Sequence, residues 1–180
     1  MKRRLRVYKK TVSIVNETAS GMYESLVGNK KGFLLESYDK NYDRYTFFGR
    51  EPEEIITSRG NSLVITKNDG TEEVREGNPL ERLKEYYSEF DIVKDNEELS
   101  FSGGLVGNLG YDFVRYAEVL PDNNPDEIGI ETIQMMLMTR FLLVDHVAET
   151  LTAIVLGPDS QEGRVTSLAE AAQLIQDARK

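Results

Sequence analysis

The stretch that decides the fold is IITSRGNSLVITKNDGTEEVR, residues 55–75. It holds three short β-prone segments, Ile55 to Arg59, Leu63 to Lys67 and Thr71 to Arg75, separated by Gly60-Asn61 and by Asn68-Asp69-Gly70. Glycine and asparagine tolerate the positive φ that tight hairpin turns require. Because connections this short join antiparallel strands, the stretch predicts a three-stranded antiparallel meander.

Two more strands and a helix are predicted on the N-terminal side of this meander. Gly32 to Ser37 is a short apolar run that ends in polar residues, which is typical of a mostly buried strand. After a polar loop, Arg44 to Phe48 predicts a second, aromatic strand. Upstream, Thr18 is a favourable N-cap and Gly28 suits a helix C-terminus, so we expect a short helix between them.

The C-terminal side predicts two helices around a pair of strands. Asn78 and Pro79 form a strong helix start, because Asn caps and Pro suits the first helical position. Ile133 to His146 predicts one long apolar strand, with Leu151 to Leu156 as its partner, and Gln161 to Arg179 predicts the closing helix. The residues expected on the buried faces are Leu80, Leu83, Tyr87 and Phe90 in the first helix, and Val165, Leu168, Ala169, Ala172 and Ile175 in the second.

The order of these elements indicates the fold class. Strands cluster without strict alternation with helices, so we expect an α+β protein with a largely antiparallel β-sheet and flanking helices. The 180 residues suffice for one domain with its own core, and no internal repeat divides them. Residues 1–180 are therefore predicted to form a single domain.

Composition and charge narrow the class of function. The chain has no cysteine, which excludes disulfides, thiolate metal sites and a cysteine nucleophile. Its formal net charge of -9 makes nucleic acid an unfavourable partner, because both would be anions. No apolar run approaches the roughly 18 residues needed to span a bilayer, so we expect no membrane association and a cytoplasmic location.

The N-terminus is a basic segment in this acidic chain. Its cationic residues are Lys2, Arg3, Arg4, Arg6, Lys9 and Lys10. We interpret the segment as a solvated, poorly ordered terminus, with a nucleic-acid-binding arm as the alternative. A strand is expected only from Val12 to Val15.

The glycine-rich stretch FSGGLVGNLG, residues 101–110, suggests a phosphate-binding loop, but its spacing argues against one. The dinucleotide-binding pattern is G-x-G-x-x-G, whereas the order here is G-G-x-x-G-x-x-G, and the lysine of a phosphate-binding loop is missing. Glycines inside a strand let another backbone or side chain approach closely, or they mark a bulge. We therefore predict a closely packed strand here.

Few polar residues are candidates for chemistry. His146 is the single histidine, and the sequence nominates no nucleophile for it, so a structural role is predicted. Glu36 and Ser37 follow a predicted rigid strand, where a carboxylate and a hydroxyl can bind a small polar ligand. The alternative is that they cap the strand and bond the following loop.

Several of these segments resemble one known family, anthranilate synthase component I. GFLLES (32–37) and RYTFFG (44–49) are similar to its paired segments FLLES and RYSFIG. FSGGLVGNLGYD (101–112), followed by VRY (114–116) and EVLP (118–121), resembles its F-x-GG-x-VGYLGYD and VR-x-x-E-x-LP. One departure is Asn108, where the family usually has Tyr. Component I of para-aminobenzoate synthase is a close relative and stays open as an alternative.

The resemblance implies a fold and a place in metabolism. The fold would be the N-terminal half of the chorismate-utilising anthranilate synthase component I. The full-length protein would convert chorismate to anthranilate for tryptophan biosynthesis, with Mg²⁺ and with ammonia from a glutaminase subunit, component II. The catalytic and Mg²⁺-binding residues would belong to a C-terminal domain that is absent from these 180 residues, so no catalytic residue is expected here. A stand-alone ligand-binding or scaffold domain is the other alternative.

The resemblance further implies half of a feedback-inhibition site for L-tryptophan. The implied ligand-binding residues are Leu35, Glu36, Ser37, Tyr42, Asp43, Arg44 and Tyr45. Ser37 would end one strand and Arg44 begin the next, so a short loop would hold their polar groups near the charged ends of an amino acid. Neighbouring aromatic side chains would suit an indole.

Overall fold

A computed structural model describes residues 2–36, 44–94, 101–121 and 129–180. The chain forms two compact units. One, the five-stranded unit, consists mainly of Glu53–Phe90 and Leu105–Leu137. The other, the six-stranded unit, consists of Arg3–Pro52, Asp91–Gly104 and Met138–Lys180. Strands dominate in both, and most neighbouring strands pair antiparallel, which confirms the predicted α+β class.

The described elements follow one another in this order. They are β1 (Arg3–Ser13), α1 (Ala19–Val27), β2 (Gly32–Leu35), β3 (Tyr45–Arg50), β4 (Glu54–Ser58), β5 (Ser62–Lys67), β6 (Glu72–Glu76), α2 (Pro79–Ser88), β7 (Phe90–Val93), β8 (Gly104–Leu109), a 3₁₀-helix (Tyr111–Tyr116), β9 (Ile133–Met138), β10 (Arg140–Asp145), β11 (Thr150–Pro158) and α3 (Gln161–Ala178). One sheet has the strand order β2-β3-β10-β11-β1-β7 and the other β6-β5-β4-β9-β8.

Local sequence signals account for the helix ends and for the meander. The Thr18 hydroxyl accepts a hydrogen bond from the backbone N–H of Gly21 at 3.2 Å, and Gly28 ends α1 at a φ of 52°. The Asn78 side chain caps α2 by accepting from the N–H of Leu80 at 2.9 Å. β4, β5 and β6 pair in sequence, and Ile65 lies opposite Ile56. The predicted α1, the start of α2 and the meander are thus confirmed.

Each unit has its own apolar core. In the six-stranded unit, α1 and α3 cover one face of the sheet, where Leu26, Phe48, Leu142 and Ala171 are almost completely buried. In the five-stranded unit, the core cluster consists of Ile56, Leu63, Ile65, Tyr86, Ile133 and Leu137.

The N-terminus is not the poorly ordered segment that its charge suggested. β1 runs for 11 residues and pairs with β11 from Leu5–Pro158 to Ser13–Thr150. Arg6 donates to the Asp159 carboxylate at 2.6 Å and Arg4 donates to it at 3.0 Å. The prediction was wrong because the backbone partner and the counter-charge lie about 150 residues away, where local composition does not reveal them.

The long strand predicted from Ile133 to His146 is two strands in two different sheets. β9 pairs with β4, and β10 pairs with β3 and β11. The change occurs at Thr139, whose carbonyl accepts a hydrogen bond from the N–H of Leu156 at 2.8 Å. The polar pair Thr139-Arg140 interrupts the apolar run at this point, and the prediction of one strand was wrong because it continued the strand across that pair.

The buried faces of two helices also differ from the predicted ones. In α2, Tyr86 is buried and Tyr87 is 54% exposed, the reverse of the expectation. In α3, the buried stripe is Gly163, Ser167, Ala171, Leu174, Ile175 and Ala178, whereas Val165 is exposed. Small residues face β11 because the helix lies close to it: a Cβ at Gly157 would come within 3.2 Å of the Ser167 Cβ. Of the five predicted residues, Ile175 is buried, Leu168 and Ala172 are half-buried, and Val165 and Ala169 are exposed.

Candidate functional site

The predicted ligand residues that the structure describes gather at one end of β2 and β3. These strands pair antiparallel, with Leu35 opposite Phe47 and Leu34 opposite Phe48. Glu36 directly follows β2, and Arg44 directly precedes β3, so the two polar residues stand at the same sheet end. β2 is less buried than predicted, since only Phe33 is buried and Leu35 is 48% exposed. Ser37, Tyr42 and Asp43 lie outside the described residues.

Asp145 holds the Arg44 guanidinium at this end. The Arg44 Nε lies 3.1 Å from both carboxylate oxygens of Asp145, and its Nη2 lies 2.8 Å from Oδ2. These hydrogen bonds, with those from the backbone N–H groups of Ala148 and Val147, hold the pKa of Asp145 below its ordinary value. The same contact raises the pKa of Arg44. Both groups are thus charged at neutral pH.

The chain next to Arg44 is tied to β10 by three further contacts. Tyr45 pairs with Asp145 in the β3–β10 register. The His146 backbone N–H donates to the Arg44 carbonyl at 2.9 Å, and the His146 Nε2 lies 2.8 Å from the Thr46 hydroxyl. His146 therefore stabilises the start of β3, in keeping with the structural role predicted for it. Sequence reasoning missed Asp145, because its partner lies 101 residues away.

Aromatic side chains continue from Tyr45 along the sheet face opposite α1 and α3. The ring centroids of Tyr45 and Phe47 are 6.2 Å apart, those of Phe47 and Phe101 are 5.8 Å apart, and those of Phe101 and Phe141 are 5.0 Å apart. The Arg44 Cζ stands 5.0 Å from the Tyr45 centroid, within cation–π range. Phe101 was not predicted here, although it begins the glycine-rich stretch that resembles the family.

The arrangement suits recognition rather than bond-breaking chemistry. It offers an exposed carboxylate at Glu36, a half-exposed guanidinium at Arg44, and an apolar and aromatic surface from Leu35 and Tyr45. A zwitterionic molecule with an aromatic group matches that set.

In the part of the chain that the structure describes, no group of three or more His, Cys, Asp or Glu side chains could hold a metal ion. No helix among those residues is long and apolar enough to cross a membrane.

A cavity of about 530 Å³ in the same unit is a competing location. Arg6, Val7, Tyr8, Lys9, Asp159, Ser160, Gln161, Arg164 and Leu168 line it. It shares no residue with the predicted set. Two of its charged side chains, Arg6 and Asp159, form an ion pair at 2.6 Å. We therefore assign the candidate site to the end of β2 and β3.

Several known proteins are similar to this chain over part of their own length. Proteins named anthranilate synthase component 1 are 30% identical over 141 residues in Acetivibrio thermocellus, 31% over 145 in Mycolicibacterium smegmatis and 29% over 154 in Pseudomonas putida. These matches cover 77% to 81% of this chain and 27% to 31% of the relatives, so the chain spans about three tenths of their length.

The solved structures include one with the same fold. The crystal structure of anthranilate synthase component I from Streptococcus pneumoniae TIGR4 matches with a TM-score of 0.59 at 23% identity. The match covers 91% of this chain and 35% of that one, and it supports the fold alone. No family model matches the chain.

Proposed function

We propose that this chain, which is homologous to part of anthranilate synthase component I, is the N-terminal regulatory domain of such a protein and supplies half of an L-tryptophan feedback-inhibition site. The observation that carries the proposal is the meeting of Leu35, Glu36, Arg44 and Tyr45 at one end of β2 and β3. These four residues come from GFLLES (32–37) and RYTFFG (44–49), the paired segments that resemble those of the family. Ser37, Tyr42 and Asp43 complete the proposed set.

The proposed binding mode follows from the charges of the described residues. Arg44 binds the ligand carboxylate, because a guanidinium presents several N–H donors in a planar fork. Glu36 binds the ammonium group, and Tyr45 and Leu35 contact the indole. The other half of the pocket comes from the catalytic domain. Tryptophan bound between the domains favours a less active arrangement, which makes the inhibition a linkage effect.

The activity of the whole protein is part of the same proposal. The longer protein converts chorismate to anthranilate, with ammonia or glutamine as the nitrogen source. A glutaminase subunit, component II, is the proposed partner that delivers ammonia. We assign catalysis and Mg²⁺ to the C-terminal domain, and no catalytic residue to this chain.

A substitution at Ser37 tests the proposal in the longer protein. We expect Ser37→Arg to raise the tryptophan concentration for half-inhibition about tenfold or more, because it removes a hydrogen-bonding hydroxyl and places a bulky cation in the pocket. The uninhibited turnover should change much less. Ser20→Arg, an exposed position in α1, is the matched control and should inhibit like the wild type. An unchanged inhibition curve for Ser37→Arg would remove Ser37 from the site.

A further inference from the structure

The Asp145 carboxylate accepts several hydrogen bonds, although Asp145 lies at the end of β10. Its Oδ1 accepts from the backbone N–H groups of Val147 and Ala148, each at 3.0 Å. The carboxylate also accepts from the Nε and Nη2 of Arg44. Only 13% of the Asp145 side chain is exposed, against 53% of Arg44. The turn after β10 thus fixes the carboxylate, and the carboxylate in turn fixes the guanidinium.

The contact occupies one edge of the guanidinium and leaves a different edge turned away from Asp145. Nε and one N–H of Nη2 face the carboxylate, in the side-on pairing of Arg with Asp. The remaining edge consists of Nη1 and the second N–H of Nη2. Two parallel N–H groups on one edge match the two oxygens of a second carboxylate.

We propose that Asp145 is a positioning residue that orients Arg44 to bind a ligand carboxylate end-on through Nη1 and Nη2. This inference rests on the proposed function. It adds to that site a residue of β10, a strand that lies outside the two sequence segments containing the other site residues. Asp145 itself does not touch the ligand. Asp145 holds the Arg44 side chain in one rotamer before the ligand arrives. Binding therefore costs less side-chain conformational entropy than it would at a freely moving Arg.

The backbone around Arg44 supports this role. The His146 N–H holds the Arg44 carbonyl and the His146 ring contacts Thr46, so the main chain is tied at the same place as the side chain. The guanidinium also stands over the Tyr45 ring. A carboxylate bound at Arg44 would therefore bring the rest of a small amino acid close to an aromatic surface.

Asp145→Asn in the longer protein is the test, because Asn keeps an oxygen for Val147 and Ala148 but loses the charge that holds Arg44. Asp177→Asn is a matched control: Asp177 accepts from Arg50 at 2.7 Å, is 14% exposed and belongs to the same unit. Calorimetric titrations with L-tryptophan and with tryptamine, which lacks the carboxylate, give the readout. Circular dichroism melting of both variants reports whether either has lost its fold.

We expect Asp145→Asn to weaken L-tryptophan binding roughly two- to tenfold, which is the cost of ordering one long side chain on binding. Tryptamine binding should be the same in Asp145→Asn as in the wild type, and Asp177→Asn should leave both ligands unaffected. Equal losses for both ligands would show a merely structural role and overturn the inference. Unchanged tryptophan binding in Asp145→Asn would also overturn it, with the proposed function intact. A wild type that binds no tryptophan would overturn both.

Discussion

Gly107 is the position where a single added methyl group should damage the five-stranded unit most clearly. A Cβ there would lie 2.8 Å from the Met135 Cα and 2.9 Å from the Gln134 carbonyl carbon, and closer still to the Gln134 oxygen. Ordinary carbon contacts are about 3.5–4.0 Å, and these neighbours are backbone atoms of β9 that cannot rotate away. The predicted close approach of another backbone to the glycine-rich strand is thereby confirmed.

Gly107→Ala should therefore lower the free energy of unfolding by about 1–2.5 kcal/mol, which is the overpacking cost less the gain from the stiffer unfolded chain. Overpacking costs about 1–3 kcal/mol, and a rigid backbone neighbour favours the upper part of that range. The reduced freedom of the unfolded chain returns only about 0.4–1 kcal/mol. For a chain of this length the net loss lowers Tm by roughly 2–10 °C.

Thermal melting and hydrogen exchange together provide the assay. Melting gives the size of the loss, and exchange should show β8 and β9 losing protection before the six-stranded unit does. Asn108→Ala, an exposed neighbour in the same strand, is the control and should stay within about 0.5 kcal/mol of the wild type. A Gly107→Ala protein as stable as this control would refute the close packing of β8 on β9.

Three further predictions concern activity, capping and pH. The chain alone should form no anthranilate from chorismate, ammonia and Mg²⁺, as followed by fluorescence; steady formation that point mutations in the chain abolish would contradict this. Ser160→Ala should cost about 1 kcal/mol in urea unfolding, because its side chain accepts from the Gly163 N–H at the start of α3, and no loss would exclude that cap. Hydrogen bonds from Arg6 and Arg4 hold the pKa of Asp159 below its ordinary value, so stability from this group is present above about pH 4 and is lost as pH falls through the lower folded pKa. Acid should then lower Tm less in Asp159→Asn than in the wild type, and equal decreases would argue against the ion pairs.

Elements with signals inside their own sequence could be predicted. Thr18 and Gly28 bound α1, Asn78 starts α2, and the turn at Asn68-Asp69-Gly70 joins β5 to β6. In each case the deciding interaction joins residues a few positions apart. The end of β2 and the start of β3 could be placed for the same reason, since one short segment separates them.

Features that depend on distant partners could not be predicted. β1 needs β11 for its backbone hydrogen bonds, and the strands on the two sides of Thr139 have different partners, β4 for β9, and β3 and β11 for β10. The buried face of α3 depends on how closely β11 approaches, which favours Ser167 over Val165. Asp145 joins the candidate site only because β10 pairs with β3. No pattern within a short stretch of sequence indicates which distant strands pair or how closely they pack.

Titration of L-tryptophan into this 180-residue chain, and into the proposed longer protein, tests the central claim most directly. A site of which this chain supplies half should bind tryptophan clearly in the longer protein and weakly or not at all in the chain alone. A half-built pocket leaves the indole partly wet and loses about 25 cal/mol for each Å² left exposed. Calorimetry measures both dissociation constants under one set of conditions. A low-micromolar constant for the chain alone would contradict the shared pocket, and no binding by the longer protein would contradict the feedback site itself.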